Sequence, residues 1–175
     1  MTKVKVVVVD DHPMLRSGII SLLEKLPDIE VTGEARNGIE ALSCCENQLP
    51  DVILMDINLD GSFDVITTET IKERWPDVKV LAFSMHQEVQ VIRRMLKAGA
   101  SGYLLKNASH QEVIKAINSV MAGESYYSQE VLEVITQSIT SDNDDIGRPV
   151  SLSNREKEVL HYVAKELTNQ EIADK

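Results

Sequence analysis

Four short apolar runs in this chain stop on polar residues whose chemistries fit together, and no other feature limits the fold as strongly. Lys5-Val6-Val7-Val8-Val9 runs into Asp10-Asp11, Val52-Ile53-Leu54-Met55 into Asp56, Val80-Leu81-Ala82-Phe83 into Ser84, and Tyr103-Leu104-Leu105 into Lys106. Short apolar runs with polar ends read as strands, and unbroken apolar character is what a parallel strand covered on both faces requires. In an open α/β sheet, ligands gather at the carboxyl ends of the strands. One polar stop marks where a strand leaves the sheet; four of matched chemistry describe a site. Three carboxylates, a hydroxyl and an ammonium gathered there suit a divalent cation and a phosphoryl group.

Helical signals fill the intervals between these runs. Pro13 stands at a first helical position, where its missing N–H costs nothing, and Leu15, Ile19, Leu22, Leu23 and Leu26 follow at helical spacing. A short strand near residues 29–32 precedes Gly38, which opens a helix through Ala41 and Leu42. Val65, Ile66 and Ile71 mark a helix stopped before Pro76, and Val89, Ile92, Met95 and Leu96 mark another. Gly99-Ala100-Ser101-Gly102 turns the chain into the Tyr103 strand, and the capping box Ser109-x-x-Glu112 opens a helix through Val113, Ile117 and Val120. Five βα units predict an α/β domain over residues 1–125, a five-stranded parallel sheet with helices on both faces. Residues 126–150 are expected to connect: a helix over 128–139 carrying Val131, Leu132 and Ile135, then an acidic stretch broken by Gly147 and Pro149. In residues 151–175 the capping boxes Ser153-x-x-Glu156 and Thr168-x-x-Glu171 open two short helices, too few to enclose a core, so this segment is expected to begin an all-α domain without completing it.

At 43% hydrophobic and 26% charged residues the chain belongs with globular proteins rather than disordered ones. A net charge of −10 speaks against a broad nucleic-acid surface in the residues present. The only cysteines, Cys44 and Cys45, are adjacent, lack zinc-finger spacing and read as small apolar residues of a helix. The valine run is too short for a secretory signal, and no stretch has the length of a membrane span, so a cytoplasmic location is expected. A nucleotide site would place a glycine-rich turn after the first strand; Asp10-Asp11-His12-Pro13 is acidic and repels phosphate. A phosphatase with an aspartate nucleophile in a DxD signature does not fit either, because Asp10-Asp11-His12 lacks the spacing and Asp56-Ile57-Asn58 has asparagine at the second position.

The Asp10-Asp11 pair, the Met55-Asp56-Ile57 segment, Ser84 after its strand and Gly102-Tyr103-Leu104-Leu105-Lys106 resemble the receiver domain of two-component response regulators, over residues 1–125. The resemblance implies a flavodoxin-like doubly wound sheet of order 2-1-3-4-5, with Asp56 phosphorylated by a partner histidine kinase. It implies Mg²⁺ held by Asp11 directly, by Asp10 through water, by Asp56 and by the backbone carbonyl of Asn58. Lys106 would bind the phosphoryl group, and Ser84 and Tyr103 would form a coupled switch. Where the family usually carries Met-Pro and, a few residues on, a glycine, this chain reads Asn58-Leu59-Asp60-Gly61-Ser62-Phe63-Asp64: the proline is absent, and Asp60 and Asp64 are extra acids. Leu152-Ser153-Asn154-Arg155-Glu156 and Leu167-Thr168-Asn169-Gln170-Glu171-Ile172-Ala173 resemble the opening of a NarL/FixJ (LuxR-type) helix-turn-helix, whose DNA-reading helix would lie beyond Lys175. The function implied is that of a phosphorylation-controlled, DNA-binding transcription regulator that dimerises, is not an enzyme, and reaches promoter DNA only through a complete helix-turn-helix. The alternative is a stand-alone receiver acting through protein contacts.

Overall fold

The computed structural model describes residues 3–59, 62–63 and 65–142. Strands and helices alternate: β1 (Val4–Val9), α1 (Pro13–Leu23), β2 (Ile29–Ala35), α2 (Gly38–Asn47) and β3 (Val52–Asp56). A two-residue ladder, β4 (Asn58–Leu59) against β5 (Ser62–Phe63), precedes α3 (Val65–Arg74). Then come β6 (Lys79–Ser84), α4 (Val89–Lys97), β7 (Gly102–Leu105), α5 (His110–Met121), β8 (Tyr126–Tyr127) and α6 (Gln129–Asp142). The compact unit that carries these strands ends at Ser138.

The main sheet has the order β2-β1-β3-β6-β7-β8, and every pairing in it is parallel. The first five strands therefore take the expected doubly wound order, and β8 adds a sixth that the sequence reading lacked. Two residues give no period to read, and Tyr126-Tyr127 becomes a strand only because the edge of β7 is there to pair with. The strand expected near residues 29–32 continues to Ala35, carried on by pairing with β1 past the register shift at Val6/Val7. The helix expected over 128–139 runs on to Asp142, three residues into the stretch expected to be acidic connector; the rest of that connector and the two capping boxes after it lie outside the described residues.

Alternation along β1 sorts the core into layers. Val6 and Val8 join Leu54, Leu81 and Leu104 on the face covered by α1, through Ile19 and Leu23, and by α5, through Val113, Ile117 and Val120. Val7 and Val9 join Ile53, Met55 and Val80 on the other face, under Ala41 and Cys45 of α2 and Ile71 of α3. Further along that face Ala82, Tyr103 and Leu105 pack with Ile92 and Met95 of α4 and Val131 of α6. β3 is central, and all five of its residues are buried, which accounts for its unbroken apolar sequence.

Local chemistry sets the helix boundaries. Asn37 accepts the Glu40 N–H (2.9 Å) to start α2, and Pro13 opens α1. Ser109 accepts the Glu112 N–H (3.2 Å), half of the expected capping box; the Glu112 carboxylate bonds the Ser128 hydroxyl instead (2.9 Å). After α4, Gly99 takes a left-handed turn (φ +93°) that sends the chain back toward the sheet.

Gly102 is required by close approach. A Cβ there would overlap the Tyr126 carbonyl oxygen and lie 2.8 Å from Leu81 Cδ2. Gly102→Ala must push β8 away from β7, and overpacking of this kind costs about 1–3 kcal/mol. Urea titration should show a lower midpoint for the variant; an unchanged midpoint would mean that β8 is not seated as described.

Candidate functional site

The carboxyl ends of β1, β3, β6 and β7 bring the predicted residues together. Asp10 follows β1, Asp56 ends β3, Ser84 ends β6 and Lys106 follows β7. Asp10 and Asp56 are each 1% exposed. The Lys106 ammonium lies between them, 2.6 Å from Asp56 Oδ2 and 2.8 Å from Asp10 Oδ2. Burial works against its charge, but the hydrogen bonds and charges of Asp10 and Asp56 outweigh that, and its pKa is raised.

Two clamps hold the acidic turn. The Asp10 N–H completes the ladder to Ala35 O at 3.0 Å, and Asp10 Oδ1 accepts the His12 N–H at 2.8 Å. Arg16, one turn into α1, donates Nη1–H to the Asp10 carbonyl (2.6 Å) and Nε–H to Glu34 Oε2 (2.9 Å). It ties the β1–α1 turn to the end of β2. Asp11 is partly exposed, and His12 Nδ1 stands 2.6 Å from its Oδ1. Asp10, Asp11, His12 and Asp56 each offer a ligand atom, all within 4.8 Å of one another.

Apart from the Lys106 ion pair, Asp10 Oδ2 accepts no hydrogen bond among the described residues, and Asp11 Oδ1 meets only the His12 imidazole. Carboxylate oxygens buried and short of N–H donors fit an oxygen-seeking divalent cation. The acidic pocket is thus compatible with such a cation. Asn58 lies two residues past Asp56, with its backbone held in the β4–β5 ladder opposite Phe63.

Ser84 sits beside the acidic group rather than on it. Its main-chain carbonyl accepts the Lys106 N–H (2.8 Å), and its Oγ accepts the His86 N–H (2.9 Å). The Tyr103 ring is fully buried, and its hydroxyl donates to the His86 carbonyl at 2.9 Å. Ser84 and Tyr103 therefore meet at one turn, residues 84–86. Every residue of this cluster is among those expected from the sequence, except His12 as a ligand and Arg16 as a clamp. For Arg16 the available signal was its place one turn into the helix that follows the acid pair.

Burial, with lesser contributions from the Glu88 and Asp56 charges, pushes the Tyr103 phenol up to about 12 from an ordinary value of 10.0. A phenol whose folded pKa is raised contributes stability that is complete below its unfolded pKa and is lost as pH rises through the folded one. Denaturation measured at several pH values between 10 and 12 should show this alkaline loss, and Tyr103→Phe should make it shallower. Equal slopes in the two proteins would refute the assignment.

Comparison with known proteins agrees with this geometry. Residues 6–118 match the response regulator receiver domain, and residues 150–175 match the luxR family of bacterial regulatory proteins. The chain is 34% identical to the nitrate/nitrite response regulator NarL of Escherichia coli over 169 residues, covering 96% of the chain and 78% of that protein. It is 35% identical to the oxygen regulatory protein NreC of Staphylococcus epidermidis over 178 residues, covering 98% of the chain and 82% of that protein. Among solved structures, a LuxR-family two-component response regulator from Aurantimonas superposes with a TM-score of 0.75 at 30% identity, over 79% of this chain and 99% of that one. The signal receiver domain of a NarL response regulator from Mycobacterium tuberculosis does so with a TM-score of 0.67 at 34% identity, over 71% and 100%. Family members are DNA-binding regulators rather than enzymes. The chain belongs to the NarL-type, LuxR-family response regulators of two-component systems, phosphorylation-controlled transcription regulators in which a receiver precedes a LuxR-type DNA-binding region.

Proposed function

We propose that Asp56 is the phosphoacceptor and that the residues around it promote phosphoryl transfer without further catalytic turnover. The observation that carries this reading is the Lys106 ammonium held 2.6 Å from Asp56 Oδ2 and 2.8 Å from Asp10 Oδ2 at the ends of parallel strands. An Asp56 carboxylate oxygen forms the new P–O bond as the P–N bond to the kinase's phosphohistidine breaks, and the imidazole keeps the electron pair. Lys106 remains in reach of a phosphoryl oxygen on the same carboxylate. Ser84, one residue beyond the Asp56↔Phe83 pairing, supplies a hydroxyl to another. Mg²⁺ would be held by Asp11 directly, by Asp10 through water, by Asp56 and by the Asn58 carbonyl. When bound it offsets the charge that develops on the transferring group.

Ser84 and Tyr103 then report phosphorylation through their shared turn. Partners follow from the family: a histidine kinase as donor, a second copy of this chain in a phosphorylation-dependent dimer, and promoter DNA through a complete helix-turn-helix. We assign residues 1–125 to the receiver, 126–150 to the connection and 151–175 to the start of the DNA-binding region. Among the described residues no helix is long and apolar enough to cross a membrane, and we place the protein in the cytoplasm.

Incubation with an acyl-phosphate donor and Mg²⁺ should add one phosphoryl group to the intact mass, and Asp56→Asn should abolish the addition. An equal yield from the variant would overturn the assignment. Asp11→Ala removes a direct ligand and should weaken Mg²⁺ binding by about tenfold or more, that is about 1.4 kcal/mol. Asp10→Ala should weaken it less, and titration calorimetry with Mg²⁺ alone would reveal the opposite ranking if the ligand roles were exchanged.

A further inference from the structure

Ser128 is 1% exposed and makes four hydrogen bonds that reach three elements. Its N–H donates to the Tyr103 carbonyl at 3.0 Å, and its own carbonyl accepts the Leu132 N–H at 3.1 Å. Its hydroxyl accepts the Leu105 N–H (3.2 Å) and donates to Glu112 Oε1 (2.9 Å). A serine that opens a helix ordinarily turns its hydroxyl onto the first free N–H groups of that helix. Here the hydroxyl is committed to β7 and α5 instead. Glu112 likewise leaves the capping box of its own helix to receive the serine proton. One helix forgoes its serine side-chain cap, and the other forgoes half of its capping box, to make one tertiary joint.

The position of this joint gives it a mechanical meaning. Leu105 precedes Lys106, and the two N–H groups point to opposite sides of β7: Leu105 to the Ser128 hydroxyl, Lys106 to the Ser84 carbonyl at 2.8 Å. The strand end that carries the ammonium is pinned between two serines. On the Ser128 side the ladder stops at Tyr127, so no further strand residue is there to receive the Leu105 N–H, and a side chain does so as the chain turns into α6. Three residues on, Val131 is fully buried in the cluster that contains Tyr103 and Leu105.

We propose that Ser128 is a positioning residue that fixes the Lys106 end of β7 and transmits movement of that end to α6. This rests on the reading of Asp56 and Lys106 given above. When Lys106 follows the phosphoryl group, the Leu105 N–H pulls on the Ser128 hydroxyl, and the first turn of α6 loosens. The signal then leaves the site along the backbone that leads toward residues 150–175, in addition to the Ser84–Tyr103 turn.

The test uses the full chain, with intact mass and hydrogen–deuterium exchange read on the same samples, with and without an acyl-phosphate donor and Mg²⁺. In the wild type, phosphorylation should speed exchange of the amides in residues 129–138. In Ser128→Ala these amides should exchange fast in both states. Its phosphorylation rate at saturating Mg²⁺ should fall by about three- to tenfold, the worth of one lost hydrogen bond, with Mg²⁺ affinity unchanged. Glu112→Ala should act in the same direction without altering β8, and Glu112→Gln, which keeps an acceptor oxygen, should restore wild-type behaviour. If Ser128→Ala does not fold, the two Glu112 variants decide the matter. Phosphoryl addition to the wild type without any change in 129–138, or a wild-type response in both Ser128→Ala and Glu112→Ala, overturns the coupling. Absence of phosphoryl addition to the wild type overturns the reading of Asp56 and the coupling with it.

Discussion

Two carboxylates are buried at the end of this sheet because one ammonium is buried with them. Asp10 and Asp56 have almost no contact with solvent, and Lys106 reaches both. An unpaired carboxylate in such a place would cost several kcal/mol or take up a proton. Even paired, the group has more carboxylates than cations once Asp11 is counted, and that imbalance favours a metal ion at the mouth. The surrounding contacts serve this arrangement. Arg16 holds the Asp10 carbonyl, Ala35 holds the Asp10 N–H, and Ser84 and Ser128 hold the strand that delivers Lys106.

The sheet makes such exactness possible because its strand ends are fixed by burial on both faces. β3 and β7 are buried along their whole lengths, and β3 is flanked on both sides by β1 and β6. Tyr103 occupies a different environment. Tyr103 packs among α4, β7 and Val131, with its hydroxyl on the His86 carbonyl, so its ring already points inward and is covered by the helix that follows β8. Two elements, α4 and α6, therefore pack against this one ring.

The residues that could be read from the sequence were those whose chemistry is local to a strand end. Asp10, Asp56, Ser84 and Lys106 each follow an apolar run, and a parallel sheet leaves them only one place to go. The helices were legible from periodicity, and caps such as Ser109 from a three-residue spacing. What stayed hidden depends on pairing across long separations. β8 has no pattern of its own, and β2 runs past its expected end because β1 continues beside it. Glu112 was legible as a cap residue, but its actual partner lies 16 residues away, and nothing in the spacing announces that. Arg16 and Ser128 are ordinary residues of a helix and a helix start; their importance comes from what the fold brings to them.

The sixth strand also bears on where this domain can be cut. The receiver match ends at residue 118, and the last long helix of the α/β repeat ends at Met121, both before Tyr126. A fragment stopped there would keep the whole acidic site, yet the outer side of β7 would lose its partner, leaving the N–H and C=O groups of a buried, apolar strand open to solvent. An unpaired edge of that kind is a template for association with another chain. Tyr126-Tyr127 and the serine after them close the edge, so the smallest well-behaved unit is set by edge protection rather than by the residues that do the chemistry.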